Sequence, residues 1–246
     1  MPKYPPMLAA LLAVSTFAFG APGDGLDDIV GNAYDRSGRL RYREYHDYAP
    51  APPAMVQQTI YRDPAGAEIG RMEADYRVDR FAPTYRMLDF RHDTEEVVRR
   101  DGDTVYIEHR LGAKRRSKTL RVTPGRHLVV GPGFNELIKA RWDTLLAGEP
   151  LSCEFAVPNR LQLVAVRIRH VPSDDPDAGY RFSVAAENLL VRFVASELNV
   201  EYDRATRALV EYEGPSNVND DRNRQQEVVI RFAAGAGTVA RRASAR

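Results

Sequence analysis

Residues 94–122 read TEEVVRRDGDTVYIEHRLGAKRRSKTLRV, and the fold turns on this stretch. Asp101-Gly102-Asp103 is a tight-turn signal between two strand-like runs, 97–100 and 104–111,. A third run, 115–122, follows and is ended by Thr123-Pro124-Gly125. Strand, turn, strand, break, strand describes an antiparallel meander with one dry face and one wet face.

The same grammar extends toward the N-terminus. Leu40, Tyr42 and Tyr48 alternate with Arg39, Arg41 and Arg43, the period-2 pattern of a half-buried strand,. Residues 57–62 and 68–76 flank Asp63-Pro64-Ala65-Gly66, a turn in which Pro fixes φ and Gly permits a positive φ,. Residues 85–91 and 94–100 continue the series.

Toward the C-terminus the period changes once. Phe134, Leu137, Ile138, Trp142, Leu145 and Leu146 recur at three- and four-residue steps, which predicts one amphipathic helix of about 14 residues,. Gly133 precedes it, and Gly148 stands where a left-handed C-cap belongs,. A single apolar stripe places this helix across the sheet, with Trp142 as a large contact. Strands then resume at 151–157, 161–168, 180–185, 199–202, 208–213 and 227–232, while 188–196 suits either a short helix or a strand,. The expected fold class is therefore α+β: a mostly antiparallel, curved β-sheet (a meander or half-barrel) with one main amphipathic helix packed on it.

The first twenty residues carry an address. Lys3 gives a positive start, 7–19 is an apolar run, and Ala18 and Gly20 are small residues at a cleavage site before Ala21,. The run is too short to span a bilayer comfortably, and no stop-transfer pattern follows it. The expected organisation is a signal peptide at 1–20, a lead-in segment at 21–33, a single β-rich domain at 34–233 and a disordered tail at 234–246. The expected location is the periplasm, with no transmembrane span after cleavage. In the 246-residue chain 35 basic residues face 34 acidic ones, and loss of Lys3 with the leader makes the balance equal. No global field points to nucleic acid. Cys153 is the single cysteine, so no internal disulfide forms; it lies in the alternating run LSCEFAV and reads as a small apolar residue,.

The search for chemistry gives little. His46, His92, His109, His127 and His170 form no metal-ligand spacing,. No nucleophile elbow, P-loop or dinucleotide fingerprint is present, and Gly131-Pro132-Gly133 reads as a connecting turn. Two acidic loops could offer oxygen to calcium: Asp174, Asp175 and Asp177 before Gly179, and the cluster Asn217, Asn219, Asp220, Asp221 and Asn223,. Both lack the closing Glu of an EF-hand and also read as turn chemistry. The basic stretch KRRSKTLR, 114–121, suits a polyanion or lipid headgroups, and better suits a solvated strand guarding a sheet edge,. No catalytic, cofactor-binding or metal residue is assigned, and no cofactor is expected.

The segments GFNEL (133–137), RWD (141–143), LLAGE (145–149), FAVPNRL (155–161), VEYD (200–203) and LVEYEG (209–214) resemble a proteobacterial family of exported, uncharacterised proteins. The resemblance covers most of the mature chain and implies no activity and no site residues. At the level of fold the layout is similar to periplasmic lipoprotein-carrier half-barrels, which shield acyl chains. Three functions follow as expectations. The first is non-enzymatic binding of an apolar or amphipathic ligand, or of an envelope partner, with a lipid or lipoprotein among the candidates. The second is a secreted hydrolase with a dispersed site, using Asp220 or Asp221 with His127. The third is an envelope assembly or structural factor acting through strand edges.

Overall fold

The computed structural model describes residues 29–48, 55–175, 178–188 and 197–234. The expected signal peptide, residues 21–28 of the lead-in, Asp177, residues 189–196 and nearly all of the expected tail lie outside the described residues.

The first half of the chain is a run of eight strands: β1 (Ile29–Tyr34), β2 (Leu40–Tyr48), β3 (Val56–Arg62), β4 (Glu68–Asp75), β5 (Thr84–Asp89), β6 (Thr94–Asp101), β7 (Thr104–Leu111) and β8 (Lys114–Arg121). A short strand, β9 (His127–Val129), leads into the helices α1 (Gly133–Ala140) and α2 (Trp142–Leu146). Then come β10 (Leu151–Val157), a 3-10 turn (Pro158–Arg160), β11 (Gln162–Val171), β12 (Tyr180–Ala186), β13 (Leu198–Tyr202), β14 (Leu209–Pro215) and β15 (Glu227–Ala234).

All fifteen strands form one sheet, ordered β8 to β1, then β15 down to β9. Except for β9 against β10, each strand pairs antiparallel with its chain neighbour along both arms, and β1 joins β15 to unite them, with Ala33 opposite Ile230. The two outermost strands, β8 and β9, are consecutive in the chain, so the sheet curls until its edges meet at residues 122–126. Packing and side-chain bonds hold those edges together. Val98, Val105 and Ile107 of one end share a core with Leu128 and Ala156 of the other. The Glu154 carboxylate accepts hydrogen bonds from the Thr123 backbone N–H (2.9 Å) and hydroxyl (2.7 Å).

Three features correct the sequence reading. The class is closer to all-β than to α+β, because the helical part is only 8 residues in α1 and 5 in α2. The single helix is broken at Arg141, whose φ of −114° and ψ of 21° leave the helical well. The sheet is mixed, because β9, which the pattern did not reveal, pairs parallel with β10. In addition, β1 begins at Ile29, inside the expected lead-in. The basic run does form an edge: β8 pairs only with β7 and exposes nearly every side chain, and charge there discourages pairing with another chain.

The helices lie on the inner face of β10–β13. Leu137, Ile138, Trp142 and Leu145 pack with Cys153, Ile168, Phe182, Val200 and Tyr202. The Trp142 ring meets Tyr180, Phe182 and Tyr202 edge-on at centroid distances of 5.3, 5.1 and 5.3 Å, the geometry that the ring quadrupoles favour. The turn before α1 is packed as tightly as a core. A Cβ on Gly131, which has φ +47°, would come within 2.8 Å of the Tyr85 ring, and one on Gly133 within 2.0 Å of the Phe81 carbonyl oxygen. That carbonyl also accepts the Val130 N–H at 3.1 Å. Two glycines therefore let the β9–α1 junction dock against the β5 side of the sheet.

Candidate functional site

Strand alternation sends every second side chain of β2–β7 into the curl of the sheet. The pairing register aligns these residues in rows. One row runs His46, Thr59, Met72, Met87, Glu96, His109 across six strands. The next runs Glu44, Tyr61, Gly70, Asp89, Thr94. Charged groups are thus built into an inward face, which requires each of them to find a partner or to change its protonation.

Between these rows and the opposite arm of the sheet lies a cavity of about 700 Å³. The opposite wall is apolar, with Phe155, Val164, Val166, Val184, Ala186 and Leu198, and Phe134 of α1 and Phe232 of β15 complete the enclosure. At the end marked by Thr94 and His109 the cavity adjoins a polar recess of about 290 Å³, also lined by Asn159, Arg160 and Gln225. The chamber is amphipathic: polar groups on β2, β5, β6 and β7, hydrocarbon across from them.

The polar wall has three centres. At the first, Glu44 is 5% exposed and sits opposite Gly31, where a Cβ would come within 2.7 Å of the Glu44 Cγ. Glu44 Oε1 lies 3.3 Å from His46 Nε2, off the line of a hydrogen bond. The tautomer follows from the neighbours. The Tyr76 hydroxyl donates to Gln57 Oε1 (2.8 Å), which turns the Gln57 amide NH2 toward His46 Nδ1 (3.2 Å). Nδ1 is then an acceptor and the ring proton is on Nε2, facing Glu44. Thr59 Oγ1 is also 3.0 Å from Nδ1. Tyr42, Tyr61 and Tyr212 surround this centre. Burial raises all three hydroxyls well above the ordinary tyrosine range, and the Glu44 charge raises them further. They are neutral hydrogen-bonding groups at any physiological pH. Tyr42 Oη is 2.9 Å from Ser216 Oγ, and Tyr212 donates to the Pro215 carbonyl at 2.6 Å.

At the second centre Asp89 is ion-paired with Arg91 (3.3 Å) and accepts the Arg91 backbone N–H (3.0 Å). Arg91 also donates to the Asn219 carbonyl at 2.6 Å and reaches Asp221 at 3.3 Å. These bonds fix the 216–226 loop beside the cavity mouth.

The third centre is Glu96. It is enclosed by protein, and the surface it retains faces the cavity. Its cross-strand neighbours are Met87 and His109, and no hydrogen bond or ion pair reaches it from the described residues. Burial alone pushes its carboxyl up to about 7. His109 is moved the other way, downward, by burial and then by the Arg116 charge.

The hydrolase grouping is not assembled. His127 lies against Arg141 (3.3 Å) and the Phe81 ring (5.7 Å). The Asp220 carboxylate caps its own loop through Arg222 and Arg224 N–H, and its hydrogen bonds with Arg224 hold the acid down at about 2. The histidine that reaches this loop is His92, whose Nε2 is 2.9 Å from the Asp220 carbonyl oxygen. The Asn217–Asn223 cluster is likewise engaged in structural bonds: Asn219 donates to Asn223 at 2.8 Å, and Asn217 bonds Tyr61. Among the described residues no set of His, Cys, Asp or Glu is grouped to hold a metal ion. No helix among them is long and apolar enough to cross a membrane.

Sequence reasoning named His46 and His109 only as isolated histidines and missed Glu44 and Glu96. The signal was parity: Glu44 and His46 share the face of Leu40 and Tyr42, and Glu96 shares that of Val98. No protein-family model matches this chain, and neither does any curated protein or solved structure with which it was compared.

Proposed function

We propose that this chain is a non-enzymatic binding protein that encloses an apolar or amphipathic small molecule inside its curled sheet. The observation that carries the reading is the cavity of about 700 Å³. That size lies within the range of small-molecule sites, about 300–1,000 Å³, as does the mixture of apolar walls and a few convergent polar groups. A filled interior of fifteen strands would have given no such space.

The first twenty residues give this binding a place. With a leader removed before Ala21 the protein works in the periplasm, where lipids and acyl chains of envelope components are the abundant apolar cargo. On this reading the task is that of a carrier that shields a lipid from water. The polar groups line one wall of the cavity opposite hydrocarbon, an arrangement that suits an amphipathic ligand,.

Native mass spectrometry of protein purified from the periplasm tests this directly. The expected spectrum has a population heavier than the mature chain, and the excess is released on denaturation as a discrete small molecule. Preparations that carry only the bare chain mass, and that take up no added apolar compound, would remove the proposal.

A further inference from the structure

Four carboxylates line the cavity, Glu44 on β2, Asp89 on β5, Glu96 on β6 and Glu227 on β15, and their surroundings differ. Glu44 has His46 at 3.3 Å, and Asp89 has Arg91 at 3.3 Å. Among the described residues no cation is paired with Glu96. The groups that face it are known from every element packed there. Met87 and Tyr85 stand on β5, and Tyr85 is neutral, with its hydroxyl raised by burial and by the Glu96 charge itself. His109 stands on β7 and is also shifted toward its neutral form. Arg160, on the 3-10 turn that packs against β6 and β7, lines the mouth but makes no ion pair with Glu96. Lys139 of α1 lines the cavity and is exposed.

A lone carboxyl enclosed by protein is costly when ionised, and a cation placed beside it removes that cost. A second anion would meet the opposite situation, a wall already carrying Glu44, Asp89 and Glu96. Across the cavity Phe155, Val164 and Val166 offer only hydrocarbon. Resting on the binding function proposed above, we infer that the ligand is an amphipathic amine. Its ammonium group pairs with the Glu96 carboxylate just inside the mouth, and its apolar body lies between Met72, Met87 and Phe155.

The pH dependence has a definite sign. Aliphatic amines stay protonated through neutral pH, with pKa values near 10. Glu96, at about 7 when the cavity is empty, must give up its proton to pair with the ammonium. Amine binding therefore weakens as pH falls below 7 and releases a proton where Glu96 is still protonated.

The test is isothermal titration of the whole mature protein with octylamine, octanol and octanoate, each below its micelle concentration, at pH 8 and pH 6. A charged hydrogen bond in an enclosed site is worth about tenfold or more in affinity. Octylamine should bind about tenfold more tightly than octanol at pH 8, octanoate should bind most weakly, and the advantage of the amine should shrink at pH 6. Glu96→Gln should close the gap between amine and alcohol. Equal affinity for amine and alcohol in the unaltered protein, or tightest binding of octanoate, would overturn the amine assignment while leaving the cavity as a binding site. Failure of all three to bind would overturn both.

Discussion

Two inward-facing residues show how position sets chemistry. Cys153 is fully buried in the inner core, and burial pushes its thiol up to about 12. The thiolate is the reactive form, so a disulfide-exchange reagent at pH 8 should leave the folded protein unlabelled and label it fully in guanidinium; prompt labelling of native protein would contradict this burial. Glu96 is the converse, a charged group that folding drives toward neutrality. A carboxyl moved from 4.5 to about 7 costs the folded state about 3 kcal/mol once ionised. The folded pKa is the higher one, so this stability is present in full below pH 4.5 and is lost as pH rises through 7. Denaturant unfolding of Glu96→Gln and of the unaltered chain should give similar free energies at pH 4 and a gap of about 3 kcal/mol in favour of the variant at pH 8. A gap independent of pH would show that Glu96 is not enclosed as described. At this scale the sequence was only half legible. Cys153 could be read, because alternation in LSCEFAV already put it in a core. Glu96 could not, because an acidic residue in an alternating strand looks the same whether the sheet is open to water or curled around a cavity.

At the level of elements, local pattern was informative wherever one residue type dictates one conformation. The turns at 63–66 and 101–103 and the strands they join formed as expected, and Gly148 ends α2 with φ +86°. The helix was overestimated because apolar spacing continues through Arg141 while the backbone does not. Trp142 begins a new turn there, which drops its ring between Tyr180, Phe182 and Tyr202. Its N–H has no hydrogen-bond acceptor among the described residues, and Arg207 covers its ring at 5.0 Å, so packing supplies the stabilisation. Trp142→Ala should lower unfolding free energy by about 3–5 kcal/mol, the usual cost of emptying a buried aromatic site; a loss below about 1 kcal/mol would show that the helices are loosely held. The Gly-Pro-Gly junction was read as a connector and is in fact a packing joint. Gly133→Ala drives a methyl toward the Phe81 carbonyl and should destabilise by about 1–3 kcal/mol through forced backbone shifts, whereas Gly102→Ala, in open space at a positive φ, should cost only about 1 kcal/mol. Thermal melts of the two variants side by side would rank them.

For the whole molecule the decisive fact is closure, and no local signal encodes it. Pairing of β1 with β15 joins residues about two hundred positions apart, and the 122–126 link brings the two outer strands together. Each strand could be read from its own residues, but whether fifteen of them make an open sheet or a container depends on accumulated twist and on edge packing through Glu154 and Thr123. The first twenty residues carry the pattern of a cleaved leader,, so protein sequencing of the exported form is expected to begin at Ala21; an intact leader would refute that. The container is the central claim, and a titration tests it most directly. An environment-sensitive apolar dye such as N-phenyl-1-naphthylamine is added to the mature protein and to Ala186→Phe, which places a ring from β12 into the cavity. Saturable dye fluorescence with the unaltered protein, and affinity reduced about tenfold in a variant whose circular dichroism is unchanged, is the predicted result. Equal dye binding by both proteins, or none by either, would contradict an internal binding cavity.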